Sequence, residues 1–457
     1  MDRRDFLKRL GIGGAAVGVA ATGIGKTMSM LTDDKEKGIG EMTYRTNTST
    51  GDKVSLLGYG MMRLPSKPSE NKSSWRGGGE IDQEQTNKLV DYAMKHGVNY
   101  YDTAPVYGNG KSESATGIAL HRYPRNKYFV ATKLSNFDPN SQTLEGAKKM
   151  YHNSMKYLQV DYIDYYLLHS IGGDMEDVKR RFIDNGMLDY LMEERKAGRV
   201  RNLGFSFHGT KETFDEMMNL HAKYHWDFVQ IQMNYLDWKN AKTQNKRNVN
   251  AEYLYNELTK RNISVVIMEP LFGGRLSKVP SEASVALKNK EPEKSVASWA
   301  FRFCGSWPMV LTALSGMTYM EHLEDNVKTF SPLKPLSEED MLLLEKVCDE
   351  LVRYKAVPCT ACRYCMPCPA GVDIPLVFSH YNKCINDKQM PLNERDENYH
   401  EKRKNFLLGY DNTVPKLAQA DNCVDCEECL PKCPQGIQIP NKLAEIATFV
   451  SKLREGE

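Results

Sequence analysis

The sequence predicts a closed (β/α)8 barrel followed by a smaller, mostly helical module. Two observations carry this. Between residues 42 and 330, short apolar segments rich in β-branched and aromatic residues alternate eight times with helix-compatible segments. Beyond residue 335, eight of the eleven cysteines fall in two short runs, 359–368 and 423–433. An open doubly wound sheet is the rival for the first part, but the count of eight and the lack of G-x-G-x-x-G after the first strand favour closure. The 457 residues accommodate one barrel and a second unit rather than three similar domains. With 41% hydrophobic and 26% charged residues, long disorder is excluded for the bulk of the chain. Sixty-one basic against 59 acidic residues give no whole-protein reason to bind nucleic acid or an anionic membrane.

The elements follow in order. A hairpin is expected over 43–57, turning at Thr50-Gly51. Strands are expected at 54–60, 99–103, 128–134, 162–169, 201–207, 228–234, 263–270 and 309–315, with helices such as 85–96, 112–122, 144–158 and 188–196 between them. Pro332, Pro335 and Ser337 mark a break. The expected division is 1–30, then a barrel over 42–335, then a module over 336–457, entered through a helix at 338–354 and containing another at 374–387.

The first thirty residues read as an address. Arg3-Arg4 is followed by Phe6-Leu7-Lys8 and a Gly/Ala/Val-rich stretch over 10–25. A basic start before a mildly apolar segment is the pattern of an export signal, and this one resembles a twin-arginine signal. The alternative is an amphipathic or disordered tail. The signal implies export to a periplasmic or membrane-associated location, with the segment cleaved or retained as an anchor. No run of 18 strongly apolar residues predicts a conventional membrane span. The segment holds five basic and two acidic side chains, so the remainder is close to neutral.

In such a barrel chemistry sits at the C-terminal ends of the strands. Asp102 ends the second strand, Tyr107 follows in the loop, Lys133 ends the third and His169 ends the fourth. A free tyrosine, with a pKa of about 10, is a poor acid at neutral pH; a nearby ammonium lowers that value. Lys133 is expected to supply that charge, Asp102 to hold Lys133 in place, and His169 to donate to a substrate oxygen.

The run Asp102-Thr103-Ala104-Pro105-Val106-Tyr107-Gly108-Asn109-Gly110-Lys111-Ser112-Glu113 resembles the aldo/keto reductase signature. Lys133 and His169 stand where that family has its lysine and histidine. The resemblance covers roughly 42–330. It implies a TIM-barrel oxidoreductase with Tyr107, Lys133, Asp102 and His169 as its catalytic tetrad, acting on a small-molecule carbonyl or alcohol by hydride transfer with NADP or NAD. It further implies that Ser206 and Gln230 contact the nicotinamide amide. It makes 270–275, with Leu271, Gly273 and Gly274, the pyrophosphate loop, and puts Ser315, Gly316, Asp325 and Asn326 at the adenosine end. The sequence departs from the family at three places. Phe207 replaces an asparagine, Met268 replaces the tyrosine that stacks on nicotinamide, and His322 stands near where an arginine would hold the 2′-phosphate.

The cysteine runs read Cys359-x2-Cys362-x2-Cys365-x2-Cys368-Pro and Cys423-x2-Cys426-x2-Cys429-x3-Cys433-Pro. The second has the iron–sulfur spacing of two-cluster ferredoxins; the first is one residue short. Zinc is the rival. By resemblance to those ferredoxins, the fourth cysteine of each run serves the other cluster. One 4Fe–4S cluster would take Cys359, Cys362, Cys365 and Cys433, and the other Cys423, Cys426, Cys429 and Cys368. The 54 residues between the runs suit the larger helical ferredoxin modules of respiratory enzymes. Cys304, Cys348 and Cys384 read as ordinary buried thiols. Together the parts resemble the ferredoxin-fused branch of the aldo/keto reductases. This implies an oxidoreductase whose two clusters exchange electrons with a redox partner protein or carrier. The alternative is an electron-transfer subunit whose barrel is a binding or docking scaffold.

Overall fold

A hairpin comes first among the described residues. Strands β1 (Tyr44–Thr46) and β2 (Lys53–Ser55) pair antiparallel, Tyr44 opposite Ser55. The computed structural model describes residues 39–67, 80–244, 248–353 and 356–455. Residues 1–30, expected to be an export signal, lie outside the described residues.

Eight strands then close in parallel. They are β3 (Leu57–Gly60), β4 (Tyr100–Asp102), β5 (Phe129–Leu134), β6 (Ile163–Ile171), β7 (Val200–Phe207), β8 (Phe228–Gln232), β9 (Ser264–Met268) and β10 (Val310–Ser315), with β10 hydrogen-bonded back to β3. The single strand expected at 54–60 is two, because the chain leaves the hairpin at Leu56 before entering the barrel. Helices such as Gln83–Lys95, Leu144–Leu158 and Ala251–Lys260 bury one stripe each against the outside.

Strand periodicity positions the rim. Tyr100, Ala131, Tyr165, Leu167, Phe228, Val266, Leu311 and Leu314 pack into one interior cluster. Successive side chains alternate faces, so residues two further along share that inward face. Two residues beyond Tyr100, Ala131, Leu167, Phe228 and Val266 come Asp102, Lys133, His169, Gln230 and Met268. The same alternation that fills the barrel therefore delivers a polar layer to its C-terminal mouth.

The helix Glu338–Arg353, expected to open the second module, packs instead on the barrel helices Ser281–Lys290 and Asp237–Gln244. Its Cys348 thiol donates to Tyr235 O at 3.2 Å. The helix is amphipathic and its Leu344, Val347 and Leu351 are buried, so the barrel is the surface that covers them. The cysteine module follows it. Helices Ile374–Asn386, Tyr399–Thr413 and Ile439–Glu455 enclose Val377, Phe378, Phe406, Tyr410, Leu443 and Val450. Asp373 caps the first of these helices and pairs with Arg363 at 3.2 Å. Barrel and module form one compact unit from Gly40 onward. Among the described residues, no helix is long and apolar enough to cross a membrane.

Candidate active site and cysteine-lined cavities

The four residues expected at the rim converge. Lys133 Nζ donates to Asp102 Oδ1 at 2.5 Å and to Thr103 O at 2.8 Å, fully inside the barrel. The same ammonium lies 4.9 Å from the centre of the Tyr107 ring. Tyr107 and His169 meet edge to face at 5.9 Å. Their approach depends on a left-handed turn: Gly108, Asn109 and Gly110 have φ of 56°, 53° and 82°. Glycine and asparagine adopt that region at low cost.

His169 is fixed on several sides. Its Nδ1 is 2.6 Å from Ser135 Oγ, its ring packs against Phe137 at 5.2 Å, and its carbonyl accepts from Arg181. Burial, then the neighbouring charges of Lys133, His208 and Arg181, hold its pKa well below the ordinary value. The ring is therefore neutral. When Ser135 donates to Nδ1, Nε2 carries the proton and can donate to a substrate oxygen.

Tyr107 corrects one expectation. Lys133 was expected to lower its pKa, but the phenol is held well above its usual value. Burial is the main cause, followed by the phenol of Tyr364 and the carboxylate of Asp102. Lys133 is paired with Asp102, and its ammonium stands over the Tyr107 ring. Burial draws the Lys133 ammonium down and the Asp102 carboxyl up, and each partner opposes the other's shift.

Tyr364 comes from the module, between Cys362 and Cys365, and its phenol stands within hydrogen-bonding reach of Tyr107. Sequence reasoning missed it. A large aromatic placed between two cluster-type cysteines was the available signal. Glu269 and Arg63 were missed as well, although Glu269 directly follows β9 and so belonged to the strand ends already being searched.

The residues expected around a dinucleotide divide in two. Near the nicotinamide end, Gln230 is buried with its Oε1 unpartnered, and Met268 lines the rim half-buried. Ser206 Oγ is nearby but accepts from Ser170 N at 2.8 Å. The other end is filled. Gly273 has φ of 66°, and a Cβ there would lie 2.3 Å from Thr360 Cα and 2.6 Å from its carbonyl oxygen. Gly273 N donates to Glu269 Oε2 at 2.5 Å, and Arg63 donates to Thr360 O at 2.5 Å. Arg63 also covers Gly316, where a Cβ would lie 3.2 Å from its side chain. Leu271 serves the turn itself, its carbonyl accepting from Gly274 N and Leu276 N. Ser315 Oγ accepts from Asn326 at 3.0 Å, and Asp325 accepts from Ser295. His322 is exposed and meets Tyr319 edge to face at 5.2 Å.

Two cavities occupy the module. Cys359, Cys362, Cys365 and Cys433 line one, with Phe378, Ile437 and Ile439. Cys368, Cys423, Cys426 and Cys429 line the other, with Cys365, Ile374 and Leu443. None of the eight forms a disulfide. A zinc ion would draw four sulfurs to about 2.3 Å from one point. Among the described residues no group of three or more His, Cys, Asp or Glu side chains closes in that way. Thiols arranged around an apolar hollow fit a bulky inorganic cluster. Cys304, Cys348 and Cys384 lie apart and buried.

The Aldo/keto reductase family profile matches residues 56–349, more than half of the chain. The chain belongs to the aldo/keto reductase family. A 4Fe-4S dicluster domain profile matches 358–438, so this aldo/keto reductase is an oxidoreductase barrel fused to an iron–sulfur module. It is 25% identical over 325 residues to L-galactose dehydrogenase of Arabidopsis thaliana, covering 67% of this chain and 93% of that protein. It is 29% identical over 239 residues to an aldo-keto reductase of Fusarium vanettenii, covering 46% of this chain and 60% of that one. In fold it is similar to aldo-keto reductase AKR11C1 from Bacillus halodurans in its holo form, with a TM-score of 0.53 at 22% identity over 67% of this chain and 96% of that one. The family uses NAD(P). In this chain the nicotinamide end offers a free Gln230 oxygen, while the phosphate end is closed by Thr360, so the residues present do not fit the whole dinucleotide.

Proposed function

We propose that this aldo/keto reductase interconverts a small carbonyl compound and its alcohol at Tyr107, Lys133, Asp102 and His169. In this reading its module holds two 4Fe–4S clusters and exchanges electrons with a redox partner protein or carrier. One cluster sits on Cys359, Cys362, Cys365 and Cys433, the other on Cys368, Cys423, Cys426 and Cys429. When bound, the clusters would supply the two electrons of a carbonyl-to-alcohol reduction one at a time from the partner; of the two protons required, Tyr107 gives one to the substrate oxygen and solvent gives the other to its carbon. The chain's own residues manage the proton and the geometry. Tyr107 presents a phenolic proton at the rim, and the buried Lys133–Asp102 pair fixes the floor beneath it. Neutral His169 orients the substrate oxygen. No step is assigned to NADP or NAD, because Thr360 covers the phosphate seat.

The observation that carries this reading is the meeting of Tyr364 with Tyr107, which sets a cysteine-lined cavity beside the tetrad. The test is anaerobic purification with iron and sulfide analysis, followed by turnover of candidate carbonyls with an artificial one-electron donor. Tyr107→Phe should abolish turnover and leave iron and sulfide unchanged. The scaffold reading is favoured by the same contact, since Tyr364 engages the Tyr107 hydroxyl; unchanged physiological turnover in Tyr107→Phe would establish it. We propose further that Arg3-Arg4 directs the folded, cluster-loaded chain out of the cytoplasm. Arg3→Lys with Arg4→Lys should leave it there on cell fractionation.

A further inference from the structure

We infer that the segment carrying Thr360 and Tyr364 is the resident occupant of the barrel's dinucleotide seat. The full-length chain then binds neither NADPH nor NADH at its tetrad. This goes beyond the oxidoreductase reading and stands whether or not a carbonyl is the substrate.

The seat is recognisable by its chemistry. The turn after β9 places Glu269, Phe272, Gly273 and Gly274 at φ of 56°, 47°, 66° and 96°. Such a left-handed run turns backbone N–H groups outward into a concavity that suits phosphate oxygens. Here the Gly273 amide is spent on the Glu269 carboxylate at 2.5 Å. A carboxylate in that position repels a second anion. The Thr360 hydroxyl bonds to the same carboxylate, and the Thr360 backbone lies directly against Gly273.

The occupant is held from both sides. Arg63, the last residue of the turn after β3, donates to Thr360 O at 2.5 Å across 297 residues of sequence. Thr360 is 2% exposed, so the contact is sealed and not a surface touch. Nearer the tetrad, the Tyr364 phenol engages the Tyr107 hydroxyl. At the outer edge, Gln435 donates to Gln232 at 3.0 Å. A dinucleotide laid from the Gln230 side toward the glycine turn meets Tyr364 and then Thr360. It enters only if the cysteine segment leaves, and that segment supplies three of the four thiols of the cavity holding Cys433.

The experiment uses the full-length chain purified anaerobically with its clusters. NADPH and, separately, NADH are titrated in, following nicotinamide fluorescence and heat. The expected result is no saturable binding up to about 1 mM, the upper end of ordinary affinities for enzyme substrates. Saturable one-to-one binding of either nucleotide overturns the inference. In a second arm, Gly273→Ala drives a methyl group into Thr360. Iron loss to a chelator should then be at least about fivefold faster, with faster proteolysis of the 356–368 segment. Unchanged rates in that variant show that Thr360 does not rest on Gly273, and overturn the inference even if wild type binds no nucleotide. Should Gly273→Ala fail to fold, Arg63→Ala removes the hold on Thr360 O and is read in the same way. Failure of every carbonyl to turn over would sink the proposed activity and leave these binding and release results standing.

Discussion

The two halves of the barrel rim have met different fates. On the β4–β6 side, Asp102, Lys133 and His169 project inward from adjacent strands, and their partners Thr103, Ser135 and Arg181 are also barrel residues. On the β9–β10 side, the glycine turn and Gly316 are covered by Thr360, which belongs to the module, and by Arg63. One half keeps a complete set of groups for handling a proton. The other has passed its surface to a different part of the chain. A barrel built of separate βα units permits this, because each loop can change without disturbing the strand beside it.

The largest expected effect tests the half that carries the tetrad. Tyr107→Phe removes the phenolic proton and should lower turnover about 100- to 10,000-fold, with cluster absorbance unchanged; a loss below about tenfold would place the proton source elsewhere. Lys133→Met leaves Asp102 buried without its partner and should cost about 3–5 kcal/mol in urea unfolding. A companion Asp102→Asn change in the same chain should recover part of that loss.

Acid should weaken the same half. Burial, then Lys133, holds His208 at about 4 and His169 well below its ordinary value. Both are neutral in the folded chain and take a proton below about pH 6.5 when unfolded. The unfolded state therefore binds more protons between pH 6.5 and 4. The stabilisation is present above 6.5 and lost as the pH falls. It amounts to about 2 kcal/mol by pH 5 for His208 alone. Unfolding midpoints at pH 7.5 and 5 measure it, and His208→Asn should flatten the difference. The smallest effect belongs to the shared side. Lys388 pairs with Glu282 across the exposed edge between module and barrel. Glu282→Gln should leave the melting temperature where it is, since exposed pairs contribute little.

What was legible in the sequence was local. Eight short apolar runs marked the strands, and their C-terminal ends singled out Asp102, Lys133 and His169 before any packing was known. The resemblance to two-cluster ferredoxins likewise implied the crossed grouping of thiols that line each cavity. What was not legible was the docking of one region on another. Thr360 and Arg63 carry no motif, and they meet only because a loop some three hundred residues downstream returns to the first barrel strand. Lys133 illustrates the same limit. Its neighbours could be named from the signature, but the acidity of the Tyr107 phenol is governed first by burial and then by Tyr364, which the signature does not contain. The helix Glu338–Arg353 was assigned to the module because proline marks a break in the chain; its apolar stripe found the barrel instead.

The contact between Gly273 and Thr360 has a consequence in mass action. Both residues belong to one molecule, so the occupancy of that seat does not fall when the protein is diluted, secreted or washed. A tether of this kind presents its segment at an effective concentration on the order of millimolar. A diffusing ligand for the glycine turn would compete against that concentration from the moment the chain folds, wherever the chain is sent.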